Sequence, residues 1–241
     1  MIKFRASGDA AIIAEFGTEI DRALSRMVFD LYQQVTERRL PGVIACIPAF
    51  TTLFVQFDPL ETDGDSVIEE LTSLEGQRRV NRETLTATWD IPVCYARSMA
   101  PDLESAAQAV ALSPDAFAAL HASRPYVVYM LGGFPGFPYL GDVPEPIRIP
   151  RRHAPRTRVD AGFVAVAGRL SAIYPVATPG GWNLIGRTPI PIFDVQEDEP
   201  ALLRPGDEVV FRSISETEFH VIQADAARGA FVRSDFKRAS R

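Results

Sequence analysis

Residues 125–141 read PYVVYMLGGFPGFPYLG, seventeen residues without a charge. Tyr126 to Leu131 form an apolar, aromatic run of strand character, after which glycine and proline alternate with aromatic rings until Gly141. A bilayer-spanning helix needs about 20 apolar residues, and Pro135, Pro138 and four glycines break this stretch. Glycine admits φ > 0 and close backbone approach, while proline fixes φ and removes a donor. The stretch therefore predicts a strand, a stiff tight turn and the entry to a second strand. The same grammar continues downstream, because 13 of the 19 prolines lie between Pro125 and Pro205. Short strands are expected at 163–167, 172–174, 182–185, 190–193, 208–214 and 219–223. Many short strands between turn signals point to a closed or sandwiched β-structure.

Upstream the pattern changes. An apolar run at 11–16 ends at Gly17, and Ile20, Leu24, Met27, Val28, Leu31 and Val35 then recur at helical spacing until Pro41-Gly42. Strands are expected at 43–47 and 53–57. A helix follows, carrying Val67, Ile68, Leu71 and Leu74. Beyond Leu85, residues Ala87, Trp89, Ile91 and Val93 alternate with Thr86, Thr88 and Asp90, the period of a half-buried strand. The order β-α-β-β-α-β is that of a split βαβ sandwich. Ser113-Pro114-Asp115 supplies the N-cap, first-turn proline and acidic residue of a helix start. The expected organisation is α+β: a small split βαβ-type domain over 1–90, a β-domain with two leading helices over 91–225, and a basic tail over 226–241. That tail carries Arg228, Arg233, Lys237, Arg238 and Arg241 against Asp235, and reads as a frayed, solvated end or as a contact to an acidic partner.

Composition bounds the function. With 25 Lys and Arg against 31 Asp and Glu, the formal charge of −6 argues against a nucleic-acid surface. Two cysteines exclude a disulfide scaffold, and His121, His153 and His220 lack metal-ligand spacing, so no metal is expected. No apolar run follows Met1-Ile2-Lys3-Phe4-Arg5, which implies a cytoplasmic protein with no membrane partner. There is no Walker-type loop, no GxGxxG fingerprint and no GxSxG elbow.

The remaining chemistry gathers in three segments. The turn carrying Pro135, Gly136, Phe137 and Tyr139 lines a pocket for a small flat or amide-bearing ligand, or is a rigid packed turn. In PRRHAPRTR (150–158), four arginines within eight residues suit a carboxylate or phosphate, or form surface ion pairs. Held extended, the segment sets Arg152, Ala154, Arg156 and Arg158 against Arg151, His153, Pro155 and Thr157. Finally, TPGGW (178–182) turns into a strand that ends at Gly186-Arg187-Thr188. Gly181, Trp182, Arg187 and Thr188 border a cleft or belong to the core. His121, beside Leu120 and Phe117, is a hydrogen-bonded core histidine or an acid–base group.

The strings PGFPYLG, PRRHAPRTRV, Ala167-Gly168, IYP at 173–175 and TPGGWNLIGRTP resemble one family. It contains the B-type subunit of 5-oxoprolinase, also called allophanate hydrolase subunit 1, and the bacterial inhibitor of a sporulation histidine kinase. Related domains occur in urea carboxylase. Gly8-Asp9-Ala10-Ala11 and Phe57-Asp58-Pro59 resemble the family's first half, and Leu203-Arg204-Pro205-Gly206-Asp207 its closing strand entry. The resemblance covers roughly Ser7 to Ile214. Two departures stand out: the family's GFAPGF run is Gly133-Phe134-Pro135-Gly136-Phe137, and its GGQTG turn is Gly168-Arg169-Leu170-Ser171-Ala172.

The resemblance implies a cyclophilin-like β-barrel after a small α/β domain, and work as one part of a carboxyltransferase-type assembly. A B-type protein pairs with a homologous C-type protein. With a separate A-type protein, they open 5-oxoproline to glutamate at the expense of ATP. On that reading the aromatic loop shapes the site, Arg151, Arg156 and Arg187 hold a carboxylate or acyl phosphate, and His121 transfers protons. The alternatives are a protein-binding inhibitor of a sensor histidine kinase and a subunit handling allophanate or urea carboxylate. Prolyl isomerisation follows from the implied barrel alone, and fold does not carry function.

Overall fold

The computed structural model describes residues 2–76, 87–230 and 232–238. The chain divides into two units, Met1–Thr86 and Ala87–Arg241.

In the first unit, β1 (Lys3–Ala6), β2 (Ala11–Glu15), β3 (Val43–Ala49) and β4 (Thr52–Phe57) form an antiparallel sheet in the order β1-β2-β4-β3. Helices α1 (Arg22–Arg38) and α2 (Gly64–Gly76) cover one face. Asp21 caps α1, its carboxylate accepting from the N–H groups of Ala23 and Leu24 at 2.8 and 3.0 Å. Val28, Leu31 and Val35 on α1 and Leu71 and Leu74 on α2 pack over Ile12, Leu53 and Val55 of the sheet. The β-α-β-β-α part of the split βαβ order stands. Its last strand does not: the edge beside β2 is taken by β1, from the start of the unit, and the strand after α2 pairs in the second unit instead. Leu85 and Thr86 lie outside the described residues.

The second unit is a closed barrel. β5 (Thr88–Cys94), β6 (Tyr126–Leu131), β7 (Pro138–Gly141), β9 (Phe163–Ala167), β10 (Leu170–Ile173), β12 (Asn183–Arg187) and β13 (Glu208–Ile214) close in the order β10-β7-β6-β13-β5-β12-β9. β5 and β13 run parallel from Thr88↔Glu208 to Cys94↔Ile214, and the other pairs are antiparallel. β8 (Arg156–Val159) and β11 (Thr178–Gly180) make a separate two-stranded ribbon. Helices α3 (Leu103–Ala109) and α4 (Pro114–His121) precede β6.

Alternation along the strands builds two clusters. Val164, Val166, Ile173 and Ile185 join Ile91, Val93, Val128, Leu140, Val209 and Phe211 in the main core. Their chain neighbours Ala165, Ala172 and Leu184 face the other way, beneath Phe137, Tyr174 and Val159.

Three expectations change here. Residues 219–223 belong to a helix, α5 (Glu216–Ala227), because Ser215 caps it by accepting from Glu218 N–H at 3.1 Å and Phe219 and Ile222 pack together at helical spacing. Residues 190–193 form no strand, since Pro189 and Pro191 remove ladder donors and only Phe193 bridges, to Ala201. Residues 232–238 are not frayed. Arg238 donates its N–H to Thr88 O at 2.8 Å and pairs with Asp90 at 3.2 Å, while Arg233 reaches Glu197 at 3.6 Å. Arg228 pairs with Asp225, and Arg241 lies outside the described residues.

Candidate functional site

The outer cluster of the barrel gathers most of the residues that the sequence marks as candidates. Phe137, 5% exposed, meets Tyr139 and Tyr174 edge to face at 5.2 and 5.3 Å between centroids, and Trp182 at 6.1 Å. Tyr139 and Trp182 are 5.9 Å apart. The turn that delivers Phe137 is closed by Gly132 N–H donating to Phe137 O at 3.0 Å, and Phe137 N–H to Phe134 O at 3.1 Å. Gly136 has φ +70°, and a Cβ there would lie 2.7 Å from Phe193. Pro135 is exposed at the tip, beside Phe134 at 41% exposure. No Lys or Arg occurs between Arg124 and Arg148. The glycine turn is thus an aromatic wall without the cation that a phosphate loop brings.

Tyr174 joins this cluster although sequence reasoning marks only its IYP motif and no site role for the ring. Its hydroxyl lies against Gly180, 2.1 Å from where a Cβ would stand. Burial pushes its phenol pKa up, opposed by the Trp182 backbone N–H and the nearby charges of Arg156 and Arg151.

The arginines separate by environment. Arg152 Nη1 and Arg156 Nη2 both donate to Asp102 Oδ1, at 2.8 and 2.7 Å. They share one side of the extended segment, as its alternation predicts. Arg158 pairs instead with exposed Asp160 at 2.8 Å. Arg151 lies on the other side, its Nη2 3.1 Å from the Cβ position of Gly181, and pairs with no acidic side chain among the described residues. Arg187 stands 5.0 Å over the Phe163 ring and donates to Ala161 O at 3.2–3.3 Å. Thr188 is buried, donating its N–H to Gly162 O and accepting from Ile190 N–H. Arg187 and Thr188 therefore sit next to Phe163, away from the group that Arg151, Arg156, Gly181, Trp182, Phe137 and Tyr139 make around the aromatic cluster.

His121 is on the other side of β10. Ser171 points to it and Ala172 to the aromatic cluster, so one strand separates the two. The imidazole is fully buried, stacked on Phe211 at 4.6 Å and tilted against Tyr126 at 5.2 Å. Its Nε2 lies 3.0 Å from Ser171 Oγ and its Nδ1 2.8 Å from the Tyr95 hydroxyl. The single Ser171 proton goes to Ala165 O at 3.1 Å, so Nε2 carries the ring proton and Nδ1 accepts from Tyr95. Desolvation lowers the pKa to about 3. This imidazole is neutral at physiological pH and has both nitrogens engaged, so it braces β10 rather than exposing a proton. In the divergent 168–172 turn, Ser171 supplies that contact and Arg169 turns outward to Asp142 at 3.1 Å.

The chain thus holds a small α+β unit and a closed barrel whose outer face carries aromatic rings and arginines. The chain belongs to the family described as carboxyltransferase domain, subdomain C and D, whose model matches residues 2–203. It is 40% identical over 233 residues to the B-type subunit of 5-oxoprolinase from Bacillus subtilis, covering 91% of this chain and 95% of that one. It is 38% identical to the corresponding 5-oxoprolinase protein of Escherichia coli O157:H7, covering 85% and 92%. The crystal structure of TTHA0988 superposes with a TM-score of 0.77 at 34% identity, covering 89% of this chain but 40% of that longer one. Among the described residues no helix is long and apolar enough to cross a membrane.

Proposed function

We propose that this chain is the B-type subunit of an ATP-dependent 5-oxoprolinase-type complex, a hydrolase that opens the cyclic amide 5-oxoproline to glutamate. It contributes one part of a site completed by a homologous C-type subunit, with ATP handled by an A-type subunit in the cytoplasm. The similarity to the B-type 5-oxoprolinase proteins of two bacteria supports this reading. TTHA0988 supports the need for further chain, because the matching region is less than half of its length.

The observation that carries the chemistry is Arg151 beside Gly181, at the rim of the Phe137–Tyr139–Tyr174–Trp182 cluster. 5-Oxoproline is a small lactam bearing a carboxylate. A guanidinium without an acidic partner suits the carboxylate, and aromatic faces suit the ring. The glycine turn brings no cation of its own to a phosphate, in keeping with ATP being handled by the A-type subunit.

The test is co-expression with the C-type and A-type proteins and an assay of 5-oxoproline-dependent ATP hydrolysis. Activity that requires all three chains is expected. Its absence with three folded proteins overturns the assignment.

A further inference from the structure

Asp102 stands at the N-cap of α3, yet its side chain makes no capping hydrogen bond. The carboxylate is only 5% exposed and turns to the arginine segment instead. Oδ2 accepts the N–H of Leu184 at 2.7 Å, and Oδ1 accepts both Arg152 and Arg156. The Asp102 N–H also donates to Leu184 O at 3.0 Å, so Asp102 is locked to β12 through both backbone and side chain. The segment it grips is fastened to the glycine turn: Arg152 N–H donates to Gly181 O at 2.7 Å, and Arg156 is the register partner of Gly180. One carboxylate thus ties α3, β12 and the 151–158 segment together directly under the site.

The charges divide unequally. Two guanidinium groups, Arg152 and Arg156, face the one Asp102 carboxylate, and Arg151 lies on the other side of the segment. Arg152 and Arg156 are committed to Asp102, and Arg151 remains on the backbone floor of Gly180-Gly181. Resting on the 5-oxoproline reading, we propose that Asp102 is a positioning residue that commits Arg152 and Arg156 to the scaffold and leaves Arg151 as the cation that meets the ligand carboxylate. Asparagine cannot replace it. Both oxygens of Asp102 face donors, so an amide NH2 meets N–H groups in either orientation, and the buried Arg152 Nε and Arg156 Nη1 already lack partners.

The test uses the reconstituted three-subunit complex with Asp102→Asn, Asp102→Glu and Asp207→Asn. Asp207 is a second buried carboxylate, bonded to Ala87 N–H, Trp89 Nε1 and Arg204 N–H away from the arginine segment, and it controls for loss of stability alone. Asp102→Asn is expected to raise KM for 5-oxoproline about tenfold with kcat within about twofold. Asp102→Glu is expected to recover part of the loss, and Asp207→Asn to leave KM unchanged. An unchanged KM in Asp102→Asn, or an equal rise in Asp207→Asn, overturns the proposal. A second readout needs no turnover. Phenylglyoxal labelling of the full chain, mapped by mass spectrometry, is expected to modify Arg151 well ahead of Arg152 and Arg156, and to lose that order in Asp102→Asn. Equal labelling in the unaltered chain overturns it. If the unaltered complex shows no 5-oxoproline-dependent ATP hydrolysis, the 5-oxoprolinase reading fails and the labelling order alone decides the role of Asp102.

Discussion

The hydroxyl of Tyr174 fills the space that a side chain on Gly180 would take, 2.1 Å from the Cβ position. The ring it anchors is an edge-to-face neighbour of Phe137 at 5.3 Å. Gly180→Ala must therefore displace Tyr174 from its place against the turn. Overpacking of this kind costs about 1–3 kcal/mol. Urea melts followed by tryptophan fluorescence measure this directly, because Trp89 and Trp182 both lie in the second unit. A loss below about 0.5 kcal/mol, the range of neutral surface changes, contradicts the packing described.

Arg151→Ala separates binding from folding. The side chain is exposed and has no acidic partner among the described residues, so stability is expected to change by less than about 0.5 kcal/mol. Loss of a charge-assisted contact to a carboxylate raises KM about 10- to 100-fold. Kinetics of the reconstituted complex check the second effect, and an unchanged KM removes Arg151 from the site.

His121 makes the second unit acid-sensitive. Its pKa falls from 6.5 to about 3 on folding, so as pH drops below 6.5 the unfolded chain binds a proton that the folded chain refuses. Stability is full above pH 6.5 and declines as pH falls toward 3. Between pH 6 and pH 5 this amounts to about 1 kcal/mol. His121→Gln should flatten that interval while lowering stability overall. Melts at the two pH values decide it, and an equal decline in both proteins places the sensitivity elsewhere.

Gly136→Ala tests the turn that presents Phe137. The substitution combines φ +70° with a Cβ 2.7 Å from Phe193. Strain and overpacking are expected to cost about 2–3 kcal/mol. KM should rise as well, because Phe137 shifts within the aromatic cluster. A stable variant with native KM shows that the turn has room to adjust.

Local chemistry is legible from the sequence wherever a few neighbouring residues settle it. The Ser113-Pro114-Asp115 helix start, the turn at 132–137 and the alternation that buries Val164 and Val166 all follow from contacts within one turn or one strand. Residues 219–223 read as a strand although Ser215 caps the helix by accepting from Glu218 N–H, since a short apolar run satisfies both periods. The family resemblance points to the barrel, where composition alone leaves a barrel or a sandwich. Asp102 and Tyr174 escape sequence reasoning as site residues. An aspartate at a helix start reads as a cap, and only the fold reveals that its side chain turns elsewhere.

By itself the sequence determined where the chain turns, which residues are apolar on which face, and that arginines and aromatic rings lie in three neighbouring segments. The tertiary structure decided which of them act together. Asp102 meets Arg156 across 54 residues and Leu184 across 82, so which arginine is left unpaired depends on strand pairing that no local pattern encodes. The same holds for His121 and Phe137, which β10 keeps on opposite faces. Hydrogen bonds and ring contacts act over a few ångströms in space, and only closure of the barrel brings those distant positions within that range.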